Sequence, residues 1–228
     1  MKFVLATVLV AGLCLVHADD YNGRKMSFSA TDVSRFTAKF SSVEHVHNDL
    51  EVFTNQQLEK SYDYLLLAFT FDKYDLNRPG FEKLYRKISD KAWEDTEGLI
   101  KYQAKRGLTV NINGVQSAVV GLLNEGKVGK TSLLDSDELS SLKLALSYEK
   151  ILADESHRIH KKISHAHDKA NCYDPDVAHY LDEEIIEYQS GVIRKLTGYI
   201  HNLNSIIEES NTKDMGIHMF DEYLEKAE

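Results

Sequence analysis

Apolar residues recur every three or four positions in four long segments, the spacing that places them on one face of an α-helix. The most regular segment lies in the last third of the chain. Its apolar residues are Val177, Leu181, Ile185, Tyr188, Val192, Leu196, Tyr199, Leu203 and Ile206. Because this spacing continues without a break, it predicts a single helix of about 45 Å at 1.5 Å per residue.

Three earlier segments have the same helical spacing. The first contains Val46, Leu50, Phe53, Tyr62, Leu65 and Phe69. The second contains Phe81, Leu84, Ile88, Leu99 and Tyr102 and stops at Gly107. The third contains Leu139, Leu142, Leu146, Leu152, Ile159 and Ile163. A short fifth helix is expected over 215–226, and the predicted fold class is all-α.

The connections between the predicted helices indicate how they are arranged. Two are short, near residues 75–79 and 168–175, and short loops join antiparallel neighbours. The connection over 108–136 is rich in Gly, Asn and Ser and is long enough to cross from one end of a bundle to the other. The pattern therefore predicts a four-helix bundle of two hairpins with one long crossover.

The amino terminus has the features of a secretory signal peptide. Lys2 is followed by an apolar run over 3–16 and by the small-residue site Val16-His17-Ala18. We expect residues 1–18 to be a signal peptide, 19–43 an N-terminal extension and 44–228 the helical domain. The later apolar runs are interrupted by charge, so we expect no membrane span and a place in the secretory pathway or outside the cell.

Charge and cysteine content narrow the possible partners. The formal net charge is −9, and nucleic-acid binding would require basic patches, so we expect no nucleic-acid partner. The chain has two cysteines, and Cys14 lies within the predicted signal peptide. Cys172 would then be left either buried or paired with another chain.

Glu149 interrupts an apolar face, since it lies three residues from both Leu146 and Leu152. A buried carboxylate is costly unless it is paired, protonated or bound to a metal. Two interpretations remain open: Glu149 is a metal ligand, or it forms a structural hydrogen bond with Tyr64 or Gln189. Both of these side chains fall on or beside inward faces of other helices.

A di-iron centre in a helical bundle uses carboxylates from four helices, including Glu-x-x-His pairs whose side chains point inward. The only match is Glu44-His45-Val46-His47, at the start of the first predicted helix. In the second helix, where such a pair would be needed, the sequence reads Ala92-Trp93-Glu94-Asp95. The site is therefore predicted to be incomplete.

Asp90, Glu94 and Glu97 are spaced i, i+4 and i+7 and share one face of the second predicted helix. A bound hard cation such as iron would relieve the repulsion between these carboxylates. The alternative is an ordinary solvated acidic face.

Several motifs together resemble those of secreted insect-type ferritins, and among their subunits the chain is most similar to the light-chain homologue. The resemblance covers about residues 44–226. It rests on Ser61-Tyr62-Asp63-Tyr64-Leu65-Leu66-Leu67, Asn77-Arg78-Pro79-Gly80-Phe81, Ala145-Leu146-Ser147-Tyr148-Glu149-Lys150, Asp174-Pro175 and Phe220-Asp221-Glu222-Tyr223-Leu224. It implies a ferritin-like bundle within a hetero-oligomeric shell of twenty-four subunits that stores ferric mineral, with heavy-chain-type partners oxidising Fe²⁺.

The resemblance also implies which ligands of the heavy-type ferroxidase centre are present. Tyr64, Glu149 and Gln189 match, whereas Gln57, Ala92 and Asp95 replace a glutamate, a glutamate and a histidine. Loss of these ligands removes most of the charge that would hold two iron ions. We therefore expect the chain not to be an enzyme.

By the same resemblance, Asp90, Glu94 and Glu97 correspond to the face on which the Fe³⁺ mineral nucleates. His160, His179 and Asp182 correspond to the three-fold pores through which Fe²⁺ enters. Met215, Met219 and Tyr223 would line the four-fold axis. Two alternatives remain: a ferroxidase with an altered centre, and an iron-free helical structural protein.

Overall fold

The structure is a computed structural model that describes residues 18–19, 25–26, 36–114, 137–164, 172–209 and 212–228. The chain divides into two compact units, Met1–Ala38 and Lys39–Glu228. In the first unit, Ala18–Asp19 pairs in antiparallel fashion with Lys25–Met26, with Ala18 opposite Met26. All the helices described below belong to the second unit.

The first regular element of the second unit is a 3-10 turn, Val43–Val46, and five helices follow it. Helix α1 is His47–Phe71, α2 is Pro79–Lys105 and α3 is Glu138–Ser164. Helix α4 consists of three consecutive segments: α-helical Pro175–Tyr180, π-helical Leu181–Ile186 and α-helical Glu187–Glu209. Helix α5 is Lys213–Ala227. The four long helices and the short fifth one are confirmed.

The two hairpins lie side by side as an antiparallel bundle. Helix α1 packs along α2, and α3 packs along α4. The hairpins meet where α1 contacts α3: Asp49 near the start of α1 binds Arg158 near the end of α3, and Tyr64 lies beside Ala145. Of the long connection, residues 115–136 lie outside the described residues.

Capping residues define two helix boundaries that set this arrangement. Asp174 begins α4, and its side chain accepts hydrogen bonds from the backbone N–H groups of Asp176 and Val177. Gly107 follows α2 with a φ of 73°, a left-handed conformation that glycine adopts without strain. The predicted stop at Gly107 is confirmed.

The interior contains two apolar clusters separated by polar side chains. One cluster includes Phe71, Tyr85 and Leu196, and the other includes Phe53, Leu99 and Ile159. The buried polar residues between them on α1 include Gln57 and Lys60, and buried Asp95 occupies the equivalent stretch of α2. The bundle therefore has a polar middle layer.

The inward face of α1 differs from the one that the apolar spacing predicted. Tyr62 and Phe69, which were expected to face inward, are 43% and 47% exposed. The buried face runs through Val46, Leu50, Phe53, Gln57, Lys60, Tyr64, Leu67 and Phe71. These positions alternate steps of four and three. Two of them, Gln57 and Lys60, are polar, so a search for apolar residues alone did not identify them as buried.

Helix α5 packs against α2 and α4. Buried Asp221 of α5 accepts a hydrogen bond of 3.0 Å from the backbone N–H of Phe81, in the first turn of α2. The carboxylate lies where the helix dipole favours a negative charge. No helix in the described part of the chain has the length and apolar character needed to cross a membrane.

Candidate metal centre

Glu149 of α3 and Lys60 of α1 form a buried ion pair at the middle of the bundle. The Lys60 ammonium donates a hydrogen bond of 2.9 Å to Oε2 of Glu149, and their side chains are 3% and 0% exposed. Sequence reasoning expected either a metal or a hydrogen bond from Tyr64 or Gln189. The main partner is instead a lysine that was not considered.

The two partners proposed for Glu149 contribute less. Gln189 Nε2 lies 3.4 Å from Oε2 of Glu149 and 3.3 Å from its backbone carbonyl oxygen. The Tyr64 hydroxyl donates to the carbonyl oxygen of Ala145 at 3.2 Å. Burial, followed by the nearby charge of Glu149, raises the pKa of Tyr64 well above its usual value, so the phenol stays protonated.

On α2, the stretch nearest the Lys60–Glu149 pair carries Ala92 and Asp95 rather than a Glu-x-x-His pair; the surroundings of the ion pair are called the pocket below. Both residues are buried, and Asp95 forms an ion pair with Lys91 one turn earlier on the same helix. Burial raises the pKa of Asp95, although Lys91 and then Lys60 act in the opposite direction. The pocket thus holds two carboxylates and two ammonium groups.

Three oxygen atoms around this pocket are buried without a hydrogen-bond partner among the described residues. They are Gln57 Oε1, Glu149 Oε1 and Gln189 Oε1. Buried acceptors usually find a donor or bind water or a cation. The Glu149 oxygen belongs to a carboxylate that is paired with the Lys60 ammonium, and the other two oxygen atoms belong to neutral amides.

The predicted nucleation face, Asp90, Glu94 and Glu97, is exposed along α2. Glu97 accepts hydrogen bonds of 3.0 Å from both Lys101 and the Trp93 indole. The Lys101 hydrogen bond and charge lower the pKa of Glu97.

Asp90 and Glu94 lie beside each other in a surface depression of about 430 Å³, which is also lined by four basic residues, Lys83, Arg86, Lys87 and Lys91. The structure therefore brings two of the three acids together and gives the third, Glu97, its own basic partner.

The residues predicted to line a pore lie on α3 and at the start of α4. His160 Nε2 is 3.2 Å from Oδ2 of Asp182, so these two are brought together across the helices. His179 instead lies 3.3 Å from Glu183, one turn further along its own helix. Within the described ranges, no three His, Cys, Asp or Glu side chains of one subunit form a group that could hold a metal ion.

Asp182 and Glu183 belong to the π-helical segment of α4. π-helical turns within α-helices are uncommon and are often found at functional sites. The segment widens the helix beside His160, and apolar spacing alone did not predict it.

Comparison with known proteins places this geometry in context. The sequence matches the model of the Ferritin family, described as a ferritin-like domain, over residues 49–206. It is 37% identical over 235 residues to the ferritin light chain of Drosophila melanogaster, covering 99% of this chain and 100% of that protein. It is 35% identical over 191 residues to the ferritin light chain of Trichoplusia ni, covering 83% of this chain and 79% of that protein.

A solved structure agrees with the sequence matches. The crystal structure of Trichoplusia ni secreted ferritin superposes with a TM-score of 0.72 at 32% sequence identity. The match covers 88% of this chain and 92% of that chain. The bundle architecture and the sequence similarity agree, and the chain belongs to the ferritin family.

Proposed function

We propose that this chain is an iron-storage subunit of a secreted ferritin shell, that it has no ferroxidase centre of its own, and that its inner surface promotes mineral nucleation. Membership of the ferritin family supports iron storage and assembly into a multimeric shell. The similarity to a secreted ferritin of Trichoplusia ni supports secretion. The absence of catalysis, the nucleation role and the hetero-oligomeric partner go beyond these comparisons.

The observation that carries the proposal is the Lys60–Glu149 pair. A metal ion approaching Glu149 would have to displace a buried ammonium that is 2.9 Å away. Breaking a buried ion pair by removing one partner typically costs about 3–5 kcal/mol, because a charge is left without compensation. The pair therefore opposes iron binding at the one carboxylate that the centre retains.

The neighbouring α2 wall supports the same conclusion. Ala92 supplies no ligand atom, and the Asp95 carboxylate is bound to Lys91. A di-iron site needs several anionic donors at once to offset the charge of two Fe²⁺ ions. Fe²⁺ is the substrate of that reaction, and the two carboxylates near this pocket, those of Glu149 and Asp95, are each paired with a lysine.

The nucleation role is proposed for Asp90, Glu94 and Glu97. Exposed carboxylates are hard oxygen ligands suited to Fe³⁺, and the pairing of Asp90 with Glu94 in one depression supports their joint action. Asp90→Asn/Glu94→Gln should delay growth of the ferric mineral in shells that contain an oxidising subunit. Asp154→Asn, which removes an exposed acid from α3, is the matched control.

Iron entry and partner choice complete the proposal. The proximity of His160 and Asp182 supports a polar passage at the junction of α3 and α4, and Asp182→Asn should slow iron uptake.

Heavy-chain-type subunits would supply the oxidation step. Cys172 is a free, partly buried cysteine, and it is the candidate for a disulfide to such a partner.

The decisive test is oxygen consumption after Fe²⁺ is added to shells of this chain alone. We expect no rate above that of buffer, and the Glu149→Gln variant should behave in the same way. A fast oxidation that depends on Glu149 contradicts the proposal.

A gain-of-function variant tests the cause. Gln57→Glu, Ala92→Glu and Asp95→His restore ligands, and Lys60→Ala removes the ammonium. The variant with all four substitutions should consume oxygen when Fe²⁺ is added. The variant with three substitutions, which keeps Lys60, should still consume oxygen slowly, because its Glu149 is still paired. Equal rates in the two variants would show that Lys60 is not the obstacle.

A second candidate is a ferroxidase with an altered centre of Gln57, Tyr64, Asp95, Glu149 and Gln189. The three unpaired oxygen atoms in the pocket favour it, since they could accept bonds from water or a cation. The Glu149→Gln comparison in unmodified shells separates the two candidates. Only the altered ferroxidase loses activity in that variant.

A further inference from the structure

A groove of about 600 Å³ lies between α2 and α4, apart from the buried ion pair. Its floor is apolar and is formed by Leu84 and Ile88 of α2 and by Val192 and Leu196 of α4. Small-molecule sites are typically concave, about 300–1,000 Å³ in volume, and mostly apolar with a few placed polar groups. The groove has the size and lining of such a site.

One end of the groove binds a carboxylate. Lys87 and Lys195 both donate hydrogen bonds of 3.1 Å to the side-chain carboxylate of Glu228. The Tyr199 hydroxyl donates to the same group at 2.7 Å. That carboxylate is 2% exposed, whereas the side chains of Lys87 and Lys195 are about half exposed. The chain's own carboxylate thus marks an anion site that opens onto an apolar floor.

The other end of the groove has the opposite charge. Glu183 and Glu187 line it on α4. Lys195 and Glu187 are eight residues apart, or about 12 Å at 1.5 Å per residue. An amphipathic anion is therefore favoured in a single orientation, with its charged group at the two lysines and its apolar part toward the middle of the groove.

Gly191 keeps the groove open at its midpoint. A Cβ atom built at Gly191 meets no other atom within 4 Å, so the space above it is free. Gly198, on the same helix but outside the groove lining, is equally unobstructed. The two glycines provide a matched pair for substitution.

We propose that this groove binds a free medium-chain fatty acid, whose carboxylate takes the place of Glu228 between Lys87 and Lys195 and whose hydrocarbon chain covers Leu84, Ile88, Val192 and Leu196. The charge complementarity at one end and the apolar floor beside it suit an anion that carries a hydrocarbon tail. This binding does not involve the Lys60–Glu149 pair, and the groove shares Lys87 with the depression that Asp90 and Glu94 line.

The first test is calorimetric titration of the assembled protein with saturated fatty acids of increasing length, from hexanoate to dodecanoate, below their micelle concentrations. Each buried methylene should strengthen binding about fourfold, until the chain reaches the acidic end and the increase stops. Decanol should bind much more weakly than decanoate. Equal affinities for the alcohol and the acid, or no binding at all, would overturn the proposal.

Variants locate the site. Gly191→Phe fills the floor and should weaken decanoate binding about tenfold or more, since it excludes several methylenes. Gly198→Phe should leave binding unchanged. Glu228→Gln removes the competing anion and should strengthen binding, whereas Lys195→Gln should weaken it. Equal affinity in the Gly191 and Gly198 variants would place any bound fatty acid elsewhere and contradict the assignment.

Discussion

Arg106, at the end of α2, binds Asp174, the residue that caps α4, with 2.6 Å between Nη2 and Oδ2. Both side chains are 1% exposed. Arg106 also binds Asp176, donates to the carbonyl oxygen of Phe40 and lies over the Phe40 ring. One guanidinium therefore ties the end of the first hairpin to the start of the last long helix and to the segment that precedes α1.

Replacing Asp174 separates its two roles. Asp174→Ala removes the cap and leaves Arg106 with one fewer buried partner, so the free energy of unfolding should fall by about 3–5 kcal/mol from the broken pair and about 1 kcal/mol from the lost cap. Asp174→Asn keeps a capping oxygen and should be less destabilising by about the value of the cap. Denaturant unfolding measures both. If the two variants are equally stable, the cap adds nothing.

The Lys60–Glu149 pair is suited to a double-mutant cycle. Lys60→Met leaves a buried carboxylate and Glu149→Leu leaves a buried ammonium, so each should lower the unfolding free energy by about 3–5 kcal/mol. The double variant buries two apolar side chains and should be close to the wild type in stability. Strictly additive losses would show that the two groups do not interact.

Asp49 should make stability depend on pH. It joins α1 to α3 through Arg158 at 2.9 Å and Lys162 at 2.6 Å. Partial burial opposes its ionisation, but hydrogen bonds from Lys162 and Arg158 outweigh burial and hold the pKa of Asp49 below its usual value. The unfolded chain then binds more protons in this range, so the stabilisation is present above about pH 4 and is lost as the pH falls through the lowered pKa.

Asp49→Asn should therefore reduce stability at neutral pH by about 1 kcal/mol, since its partners are half exposed, and the difference should shrink as the pH falls through the lowered pKa of Asp49. Added salt should shrink the difference at pH 7. Thermal unfolding midpoints at fixed protein concentration test this, with Asp154→Asn as the control. A difference that persists unchanged into acid would rule out the ion-pair explanation.

Gly80 permits the close approach of α5 to α2. A Cβ atom at this position would overlap the backbone carbonyl oxygen of Asp221, which cannot swing away as a side chain could. Gly80→Ala should cost about 3 kcal/mol and speed hydrogen exchange throughout α5. Gly191→Ala is the control and should raise stability by up to about 1 kcal/mol, because its Cβ meets open space.

The all-α bundle could be predicted from spacing because its helices are long and strongly periodic. Burial of Glu149 was also predictable, since a charge within an apolar face is conspicuous. Its partner was missed because lysine is rarely buried, so Lys60 was not counted as inward. Lys60 lies seven residues after Phe53 and seven before Leu67, and both of these residues are fully buried. Seven residues are about two helical turns, so this spacing places Lys60 on the buried face.

Other features could not be predicted from spacing. The π-helical segment of α4 adds less than one residue to each helical turn. Apolar residues spaced three and four apart fit either kind of turn, so the spacing does not distinguish them. The pairing of Glu97 with Lys101 and Trp93 depends on side-chain conformations on an exposed face. The groove between α2 and α4 depends on helix separation, which residue type alone does not specify.

The buried ion pair at mid-height also fixes the register in which the two hairpins meet. Sliding α3 by one turn along α1, about 5.4 Å, would bring Ala145 or Leu152 opposite Lys60. Both an ammonium and a carboxylate would then be stranded in hydrocarbon. A bundle of purely apolar stripes has neighbouring alignments of similar energy, whereas in this one the native alignment is favoured because it brings Lys60 and Glu149 together.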